Sequence, residues 1–214
     1  MKLTKTIKDK SQIAFDKLAK GYDKTFEGNF TLKFNQALAE IIELGENARV
    51  LDTACGNGRL LSMLEDKYPE AEFFGTDISE NMIEQAQKLH SDFTFRKASC
   101  YRLPFEDYSF DAVIICCALH HLVNPLRFFR EAARVLKPDG KLWIADVNLP
   151  AGVRSIANLY LPLSGKGDYK IYNLSEILKL LNKAGFNYNY ATSTATGQFI
   201  TGAKASSSDI TKEY

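Results

Sequence analysis

The stretch from Val50 to Leu61, V-L-D-T-A-C-G-N-G-R-L-L, constrains the fold more than any other part of the chain. Two apolar residues followed by Asp52 indicate the end of a buried strand, and leucines at helical spacing follow the turn. Gly56 and Gly58 lie in that turn, where the lack of a Cβ lets a ligand approach the backbone. Free N–H groups at the start of a helix attract an anionic group. The stretch therefore predicts a nucleotide-type ligand at the carboxyl end of a parallel sheet.

Strands and helices alternate after this stretch. The runs that predict strands cover residues 49–53, 72–76, 93–97, 110–116 and 141–146, with a turn at 137–140 before the last of them. Ser79 and the pair Asn124-Pro125 are typical of helix starts. Such alternation favours an α/β fold with a doubly wound, mostly parallel sheet. The last two strand-like runs, 186–193 and 198–203, have hairpin spacing, so we expect them to be antiparallel.

The two ends of the chain differ from this alternating middle. Amphipathic patterns predict helices over residues 4–20 and 31–44, separated by a loop around Gly28. Near the other end, Ser175 is expected to cap a helix that Gly185 closes. We therefore expect three parts: a helical lid at 1–45, a catalytic domain at 46–204, and a disordered tail at 205–214. Within the domain, residues 147–172 form a short roof over the substrate.

Composition argues against several classes of protein. Among 214 residues, Lys and Arg number 27 and Asp and Glu 26, so no net charge draws the chain to nucleic acid. The basic N-terminus lacks the apolar core of a secretory signal, and no apolar run is long enough to span a membrane. The four cysteines show no C-x-x-C spacing, which favours free thiols in a reducing cytoplasm.

Asp77 is the second residue that indicates a nucleotide. It follows the second strand, nineteen positions after Gly58, where a carboxylate accepts hydrogen bonds from both hydroxyls of a ribose. A solvated strand end or a helix cap is the alternative explanation. The dinucleotide pattern G-x-G-x-x-G/A requires a small third residue, and here Leu61 takes that place. An NAD-dependent oxidoreductase is thereby disfavoured but stays an alternative.

Five motifs in order give the chain a specific resemblance: V-L-D-T-A-C-G-N-G-R, G-T-D-I-S, R-L-P-F-E-D-Y-S-F-D-A-V-I, L-H-H-L and V-L-K-P-D-G. In this order and spacing they resemble a class I S-adenosylmethionine-dependent methyltransferase of the small-molecule group that includes ubiquinone- and menaquinone-biosynthesis enzymes. The resemblance is strong over about residues 48–146. It implies a Rossmann-like fold of seven strands with the last strand antiparallel, which agrees with the expected hairpin.

The resemblance also assigns cofactor contacts to positions of this chain. Asp52 would orient the glycine turn, and Asp77 would hold the ribose of S-adenosyl-L-methionine. The other implied contacts are Ala54, Cys55, Gly56, Gly58 and Cys117 at the methionine end, Ile78, Met82, Ser99 and Cys100 around the adenine, and Tyr22 in the lid. Ser99 stands where the family often has an acid, so its hydrogen bond to adenine would be uncharged. Ordinary packing is an alternative for Tyr22 and the cysteines.

The acceptor is harder to infer from the sequence. His120 and His121 follow the fourth strand at the mouth of the expected site, and His121 matches the second histidine of the family's L-H-H pattern. A neutral imidazole there can deprotonate the acceptor, so we predict His121 as the catalytic base, with a packing role as the alternative. No metal ligands are predicted. The predicted reaction is methyl transfer to a small or medium organic acceptor. A non-catalytic S-adenosylmethionine-binding protein is a further alternative, and the oligomeric state stays open.

Overall fold

A twisted sheet of seven strands forms the centre of the computed structural model, which describes residues 2–204, with side chains from Thr6 onward. The strands are β1 Arg49–Thr53, β2 Glu72–Asp77, β3 Thr94–Lys97, β4 Phe110–Cys116, β5 Leu136–Val147, β6 Phe186–Ser193 and β7 Gly197–Lys204. Their spatial order is β3-β2-β1-β4-β5-β7-β6. Strands β1 to β5 run parallel, whereas β7 is antiparallel to both β5 and β6. The predicted fold class is confirmed.

Helices cover both faces of this sheet. They are α1 Lys2–Leu18, α2 Phe26–Ile41, α3 Arg59–Glu65, α4 Glu80–Leu89, α5 Pro125–Val135, α6 Ala151–Tyr160 and α7 Leu174–Lys183. Ser79 caps α4 by accepting a hydrogen bond from Met82 N, as its position before the helix predicts. The N-cap of α7 is Asn173, which forms a capping box with Glu176, so the prediction of Ser175 as the cap is wrong.

Alternating side chains of the central strands divide the core into two layers. Val113 and Ile115 of β4 pack in one cluster with the phenylalanines of α5, whereas Ala112 and Ile114 pack in the other with the leucines of α3. Residues of a strand alternate between its two faces, so both faces of β4 are buried. Its continuous apolar run, which predicted a strand covered on both sides, is explained by this packing.

Three segments differ from the sequence-based expectation. Residues 137–140, expected as a turn before the strand, lie within β5 as an irregularity between two stretches that pair with β4. Helix α2 begins at Phe26 because Thr25 caps it, so Gly28 lies in its first turn. A Cβ on Gly28 would meet the carbonyl oxygen of Tyr22, which explains a glycine there.

Residues 147–172, expected as the roof segment, contain helix α6, which the sequence pattern did not predict. The predicted tail at 205–214 lies outside the described residues.

None of the helices in the described part of the chain has the length and apolar character needed to cross a bilayer.

Candidate functional site

A cavity of about 300 Å³ opens at the carboxyl ends of β1, β2 and β4, under α1 and the start of α2. Strands β1 and β4 are neighbours although β2 and β3 follow β1 in the chain, so the strand order reverses at this point. Ligands of open α/β sheets bind at such a reversal, because the flanking loops diverge to opposite faces and leave a crevice. The sheet therefore places the cavity where a nucleotide-type ligand is expected.

Strained backbone surrounds the cavity. Ala54 after β1 and Cys117 after β4 adopt φ of 61° and 49°, which residues with a Cβ rarely do, and both line the cavity. Gly56 has φ of 55°, and a Cβ there would meet nothing within 4 Å. Gly58 is constrained by packing, and its predicted contact with the cofactor stays a prediction. It is not among the lining residues, and its Cβ would meet the Phe95 ring at 2.8 Å, so a glycine is needed for packing behind the cavity.

Asp77 links the glycine turn to α4. Its carboxylate accepts hydrogen bonds from Gly56 N at 3.0 Å and Ser79 N at 2.8 Å. Burial raises the pKa of Asp77 to about 6, although these N–H groups favour the charged form. The side chain is thus ionised at neutral pH. Each of its oxygens keeps a further lone pair, so the carboxylate can accept two hydroxyl groups.

Two buried polar atoms at the other end of the cavity lack partners among the described residues: Asp52 Oδ1 and Arg59 Nε. Burial, and then the charge of Asp77, raise the pKa of Asp52 well above its usual range. The remaining nitrogens of Arg59 bind the N-terminal segment, with Nη1 at 2.8 Å from Asp23 Oδ1 and Nη2 at 2.7 Å from the Gly28 carbonyl. An unpaired acceptor and an unpaired donor in one cavity suit the ammonium and carboxylate of an amino acid. The methionine end of S-adenosylmethionine carries both groups, so the residues present fit it.

The predicted adenine contacts all line the same cavity: Ile78, Met82, Ser99 and Cys100. Met82 is fully buried and packs in a small cluster with Tyr22. The Tyr22 hydroxyl lies 3.3 Å from Thr31 Oγ1, and burial raises the pKa of Tyr22 to about 12, so the ring is uncharged. Asp52, Ala54, Cys55, Gly56, Asp77 and Cys117 also line the cavity. The contacts of these residues with the cofactor stay predictions.

His120 has a buried carboxylate as its partner. Its Nδ1 lies 2.7 Å from Oδ1 of Asp146, which is 0% exposed, and its Nε2 lies 3.7 Å from Asp168 Oδ1. Burial lowers the pKa of His120, but the charge and hydrogen bond of Asp146, together with Asp168, outweigh it, so the pKa is raised. With Nδ1–H donating to Asp146, the Nε2 lone pair of the neutral ring is free to take a proton.

His121 has a different environment. Its Nδ1 lies 3.0 Å from the carbonyl oxygen of Gly167, which can only accept, so this nitrogen carries the hydrogen. The ring also packs edge-on against Phe15 of α1, with 5.5 Å between the ring centres. Burial, and then the neighbouring His120, lower the pKa of His121 to about 4. His121 is therefore neutral at pH 7 and connects the lid with the roof segment.

His120, His121 and Asp168 are the only group of three His, Cys, Asp or Glu residues in the described part of the chain close enough to hold a metal ion, with ligand atoms within 4.8 Å. The Nδ1 atoms of both rings already have protein partners, Asp146 and Gly167. The spacing of the sequence could not reveal this group, because Asp168 approaches from the roof segment. The absence of a metal site stays a prediction.

Four residues of the site were missed from the sequence. Asp146 is the last residue but one of β5, and a carboxylate near a strand end is the same signal that indicated Asp52 and Asp77. Arg59 follows the glycine turn directly. No sequence motif around Asn35 or Asp168 indicates a site residue. Asn35 is a helix residue whose Oδ1 lies 3.1 Å from Cys116 Sγ. Asp168 lies in an irregular segment.

Comparison with known proteins agrees with this geometry. Residues 51–144 match a family model described as a methyltransferase domain. A demethylmenaquinone methyltransferase of Chlamydia trachomatis serovar L2 is 35% identical over 161 residues, which cover 71% of this chain and 69% of the relative. The demethylmenaquinone methyltransferase of Thermotoga maritima is 28% identical over 200 residues, covering 82% and 87%. In fold, the chain is similar to a SAM-dependent methyltransferase from Aquifex aeolicus, with a TM-score of 0.68 and 20% identity. The match covers 88% of this chain and 97% of that chain.

These findings place the chain among the class I S-adenosylmethionine-dependent methyltransferases. It belongs to this family, and within it to the branch of quinone-biosynthesis-like enzymes. The cofactor is S-adenosyl-L-methionine, and the reaction is transfer of its methyl group to a small organic acceptor.

Proposed function

We propose that the acceptor is an aromatic quinol of the demethylmenaquinone type, the compound in the names of the relatives. The observation that carries this proposal is His120, which lines the same cavity as the cofactor residues and has the buried Asp146 as its partner behind it. A quinol carbon becomes a nucleophile when an adjacent hydroxyl loses its proton. A buried imidazole with a carboxylate partner is suited to take that proton.

The part of the cavity lined by α1 and α2 is suited to a flat, apolar ring. Phe15 and Leu18 of α1, which also pack against Tyr22 and Met82, and Phe26 and Phe30 of α2 line it. Asn35 adds a polar group: its Oδ1 lies 3.1 Å from Cys116 Sγ, and its amide nitrogen has no partner among residues 6–204. This nitrogen can donate a hydrogen bond to a quinol oxygen. Aromatic faces with few polar groups are typical of sites that orient an apolar ligand.

On this proposal the cofactor residues keep the roles implied by the resemblance. Asp77 accepts the ribose hydroxyls, Asp52 and Arg59 hold the two charged groups of the methionine end, and the side chains around Met82 enclose the adenine. The backbone of the glycine turn lies against the methionine end, with Gly56 as the point of closest approach. The protein's task is alignment and exclusion of water, because the methyl group on the sulfonium of the bound cofactor is already activated.

The residues of the chain contribute one proton transfer. His120 Nε2 takes the acceptor hydroxyl proton, and Asp146 stabilises the imidazolium that results. The carbon beside that hydroxyl then forms its bond to the methyl group while the sulfur–methyl bond breaks and its electron pair stays on sulfur. The ring carbon then releases its hydrogen to solvent as a proton, its C–H electron pair restores the aromatic ring and leaves the oxygen as a phenolate, and His120 returns its proton to that oxygen. His121, predicted as the base, has a pKa lowered to about 4 and therefore little affinity for the proton, which favours His120.

Residues 1–45 act as the lid in this proposal, and residues 147–172 as the roof that closes against it. Contacts between these parts support the assignment: Lys10 Nζ lies 3.3 Å from the Pro162 carbonyl, and Lys166 pairs with Glu27 of α2. We further propose a reducing, cytoplasmic environment, since all four cysteines are free, and a reaction that involves no nucleic acid.

The experiment is a transfer assay with cofactor labelled in its methyl group. Demethylmenaquinone reduced to the quinol, the same compound left oxidised, and a panel of small phenols and amines serve as acceptors. We expect labelled product from the quinol and none from the oxidised quinone, which has no hydroxyl proton to lose. Transfer to an amine or phenol of the panel without transfer to the quinol would overturn the proposed acceptor.

A further inference from the structure

Helix α6 and the turn after it expose a row of large apolar side chains. Val153, Ile156, Leu159, Tyr160 and Leu163 are 54%, 62%, 72%, 67% and 77% exposed, and we name them the α6 patch. None of the ten residues of α6 is buried. Helices α5 and α7, by contrast, each bury one face against the sheet. Single exposed apolar residues are ordinary on a protein surface, but a contiguous group indicates an interaction site.

Cations outnumber acidic groups around the α6 patch, although Lys166 pairs with Glu27 of α2 and Asp168 directly follows this segment. Residues 148–167 contain Arg154 and Lys166 and no Asp or Glu. A third cation comes from α1, since Lys10 Nζ lies 3.3 Å from the Pro162 carbonyl and 3.4 Å from the Ser164 carbonyl. Apolar side chains bordered by cations are typical of surfaces that bind the interface of an anionic bilayer.

The α6 patch lies beside the mouth of the cavity. Lys166, three positions after Leu163, lines the cavity and pairs with Glu27 at the start of α2. Phe26, which lines the cavity too, is 78% exposed. A surface bound through the α6 patch would therefore lie next to the entrance of the site.

We propose that the α6 patch docks the enzyme on the surface of an anionic lipid bilayer, with the apolar side chains among the acyl chains and the three cations at the headgroups. A second copy of the chain fits less well: Lys166 is already paired with Glu27, and two such faces would bring Arg154 and Lys10 together without an acidic partner from residues 148–167. The proposed function explains why docking would be useful, since it would bring the enzyme to a lipid-like acceptor. Only this explanation of the docking rests on the proposed function. Docking itself is measured without any turnover.

The test is sedimentation of the full chain with vesicles of phosphatidylglycerol and, separately, of phosphatidylcholine. We expect binding to the anionic vesicles, weakening as salt is added, and at least tenfold weaker binding to the neutral ones. The patch variant Ile156→Ser/Leu159→Ser/Leu163→Ser should bind anionic vesicles at least tenfold more weakly than the parent, because it loses three of the apolar side chains.

The matched control is Tyr188→Ser/Tyr190→Ser, which removes two half-exposed rings from the edge strand β6 and should bind vesicles like the parent. Unchanged circular dichroism and cofactor affinity confirm that each variant is folded. Equal vesicle binding by parent and patch variant, or equal binding to both lipids, would overturn the proposal. So would a parent dimer that dissociates in the patch variant without any vesicle binding, since the occupant would then be a second copy. Failure of the proposed function is distinguishable, because it appears as absent quinol methylation whatever the vesicles show.

Discussion

The two sides of the cavity are built in different ways. The cofactor side consists of strand ends and tight turns, with Asp52 and Asp77 held in a backbone framework. The proposed acceptor side depends on side chains from segments far apart in the chain, such as Phe15 against His121 and Asp168 near His120. The cofactor side is therefore fixed by backbone geometry within short stretches of chain. On the proposed function the acceptor side needs the N-terminal segment and residues 147–172 together, so we expect it to be the side that moves.

The largest effect is expected on the acceptor side, from His120→Gln. Removal of a positioned base lowers turnover by roughly 10²–10⁴-fold. Cofactor affinity should be unchanged, because in the proposed function this side chain meets the acceptor and not the cofactor. Turnover of the parent should fall as pH drops below the raised pKa of His120, and the variant should lose this acidic limb. The measurement is the pH profile of quinol methylation together with calorimetry of cofactor binding.

His121→Gln is the companion variant for this experiment, since it tests the sequence-based prediction directly. Gln can still donate to the Gly167 carbonyl, so we expect a loss of turnover much smaller than for His120→Gln and a retained acidic limb. The opposite order of the two variants would assign the proton transfer to His121.

The next effect concerns the cofactor side. Asp77→Ala removes charge-assisted hydrogen bonds worth about 1.5–3 kcal/mol, which weakens cofactor binding roughly 10- to 150-fold. Glu72→Ala, at the other end of the same strand, is the control, because Glu72 pairs only with Arg49 at the surface. Calorimetry decides: if a folded Asp77→Ala protein binds the cofactor like the parent, the ribose is held elsewhere.

A smaller effect should appear as pH changes. The pKa of Asp77 is raised to about 6 without ligand, and ribose hydroxyls donate only to the ionised form. Affinity for the cofactor should therefore rise as pH increases through about 6 and level off above it, with a limiting slope of about tenfold per pH unit below. Titrations between pH 5 and 8 measure this, and Asp77→Asn should remove the dependence. A flat profile in the parent would contradict the assignment.

The smallest effect belongs to the contact between lid and roof. Glu27→Gln removes an exposed ion pair with Lys166, and such pairs contribute about 0.2–1 kcal/mol. Hydrogen exchange over residues 6–30 should become up to about fivefold faster and should slow when cofactor binds. Asp107→Asn, which breaks the pair with Arg134 away from the lid, should leave this exchange unchanged. Equal exchange with and without cofactor would argue against a mobile lid.

The same contrast explains what the sequence could predict. Strands β4 and β1 were predicted with their observed bounds because buried strands produce continuous apolar runs. The edge strand β6 was also predicted with its bounds, although only its first residue is buried, because its hairpin spacing to β7 marked it. Candidate cofactor residues such as Asp77 could be predicted because each lies at a fixed distance from a turn, and the cavity brings them together. At these positions only a few residues of backbone separate the turn from the side chain, so the local sequence determines where the side chain lies.

The rest depends on contacts that no local pattern contains. Asp168 reaches the histidines only because Tyr169 N and Lys170 N bind the His120 carbonyl, a contact between distant segments. Helix α6 was missed because no face of it is buried, so its apolar residues follow no core-facing pattern. Residues 137–140 have the chemistry of a turn, yet pairing of β5 with β4 on both sides keeps them in the strand.

The cavity wall also contains every cysteine of the chain: Cys55, Cys100, Cys116 and Cys117. A sulfonium methyl is an electrophile, and a thiolate is a strong nucleophile, so such a wall is exposed to self-alkylation. Burial raises the pKa of Cys100 to about 12, and it raises the pKa of Cys55 and Cys117 well above the ordinary range. These thiols stay protonated and therefore poor nucleophiles. The desolvation that shapes the site also protects the enzyme from its own reagent.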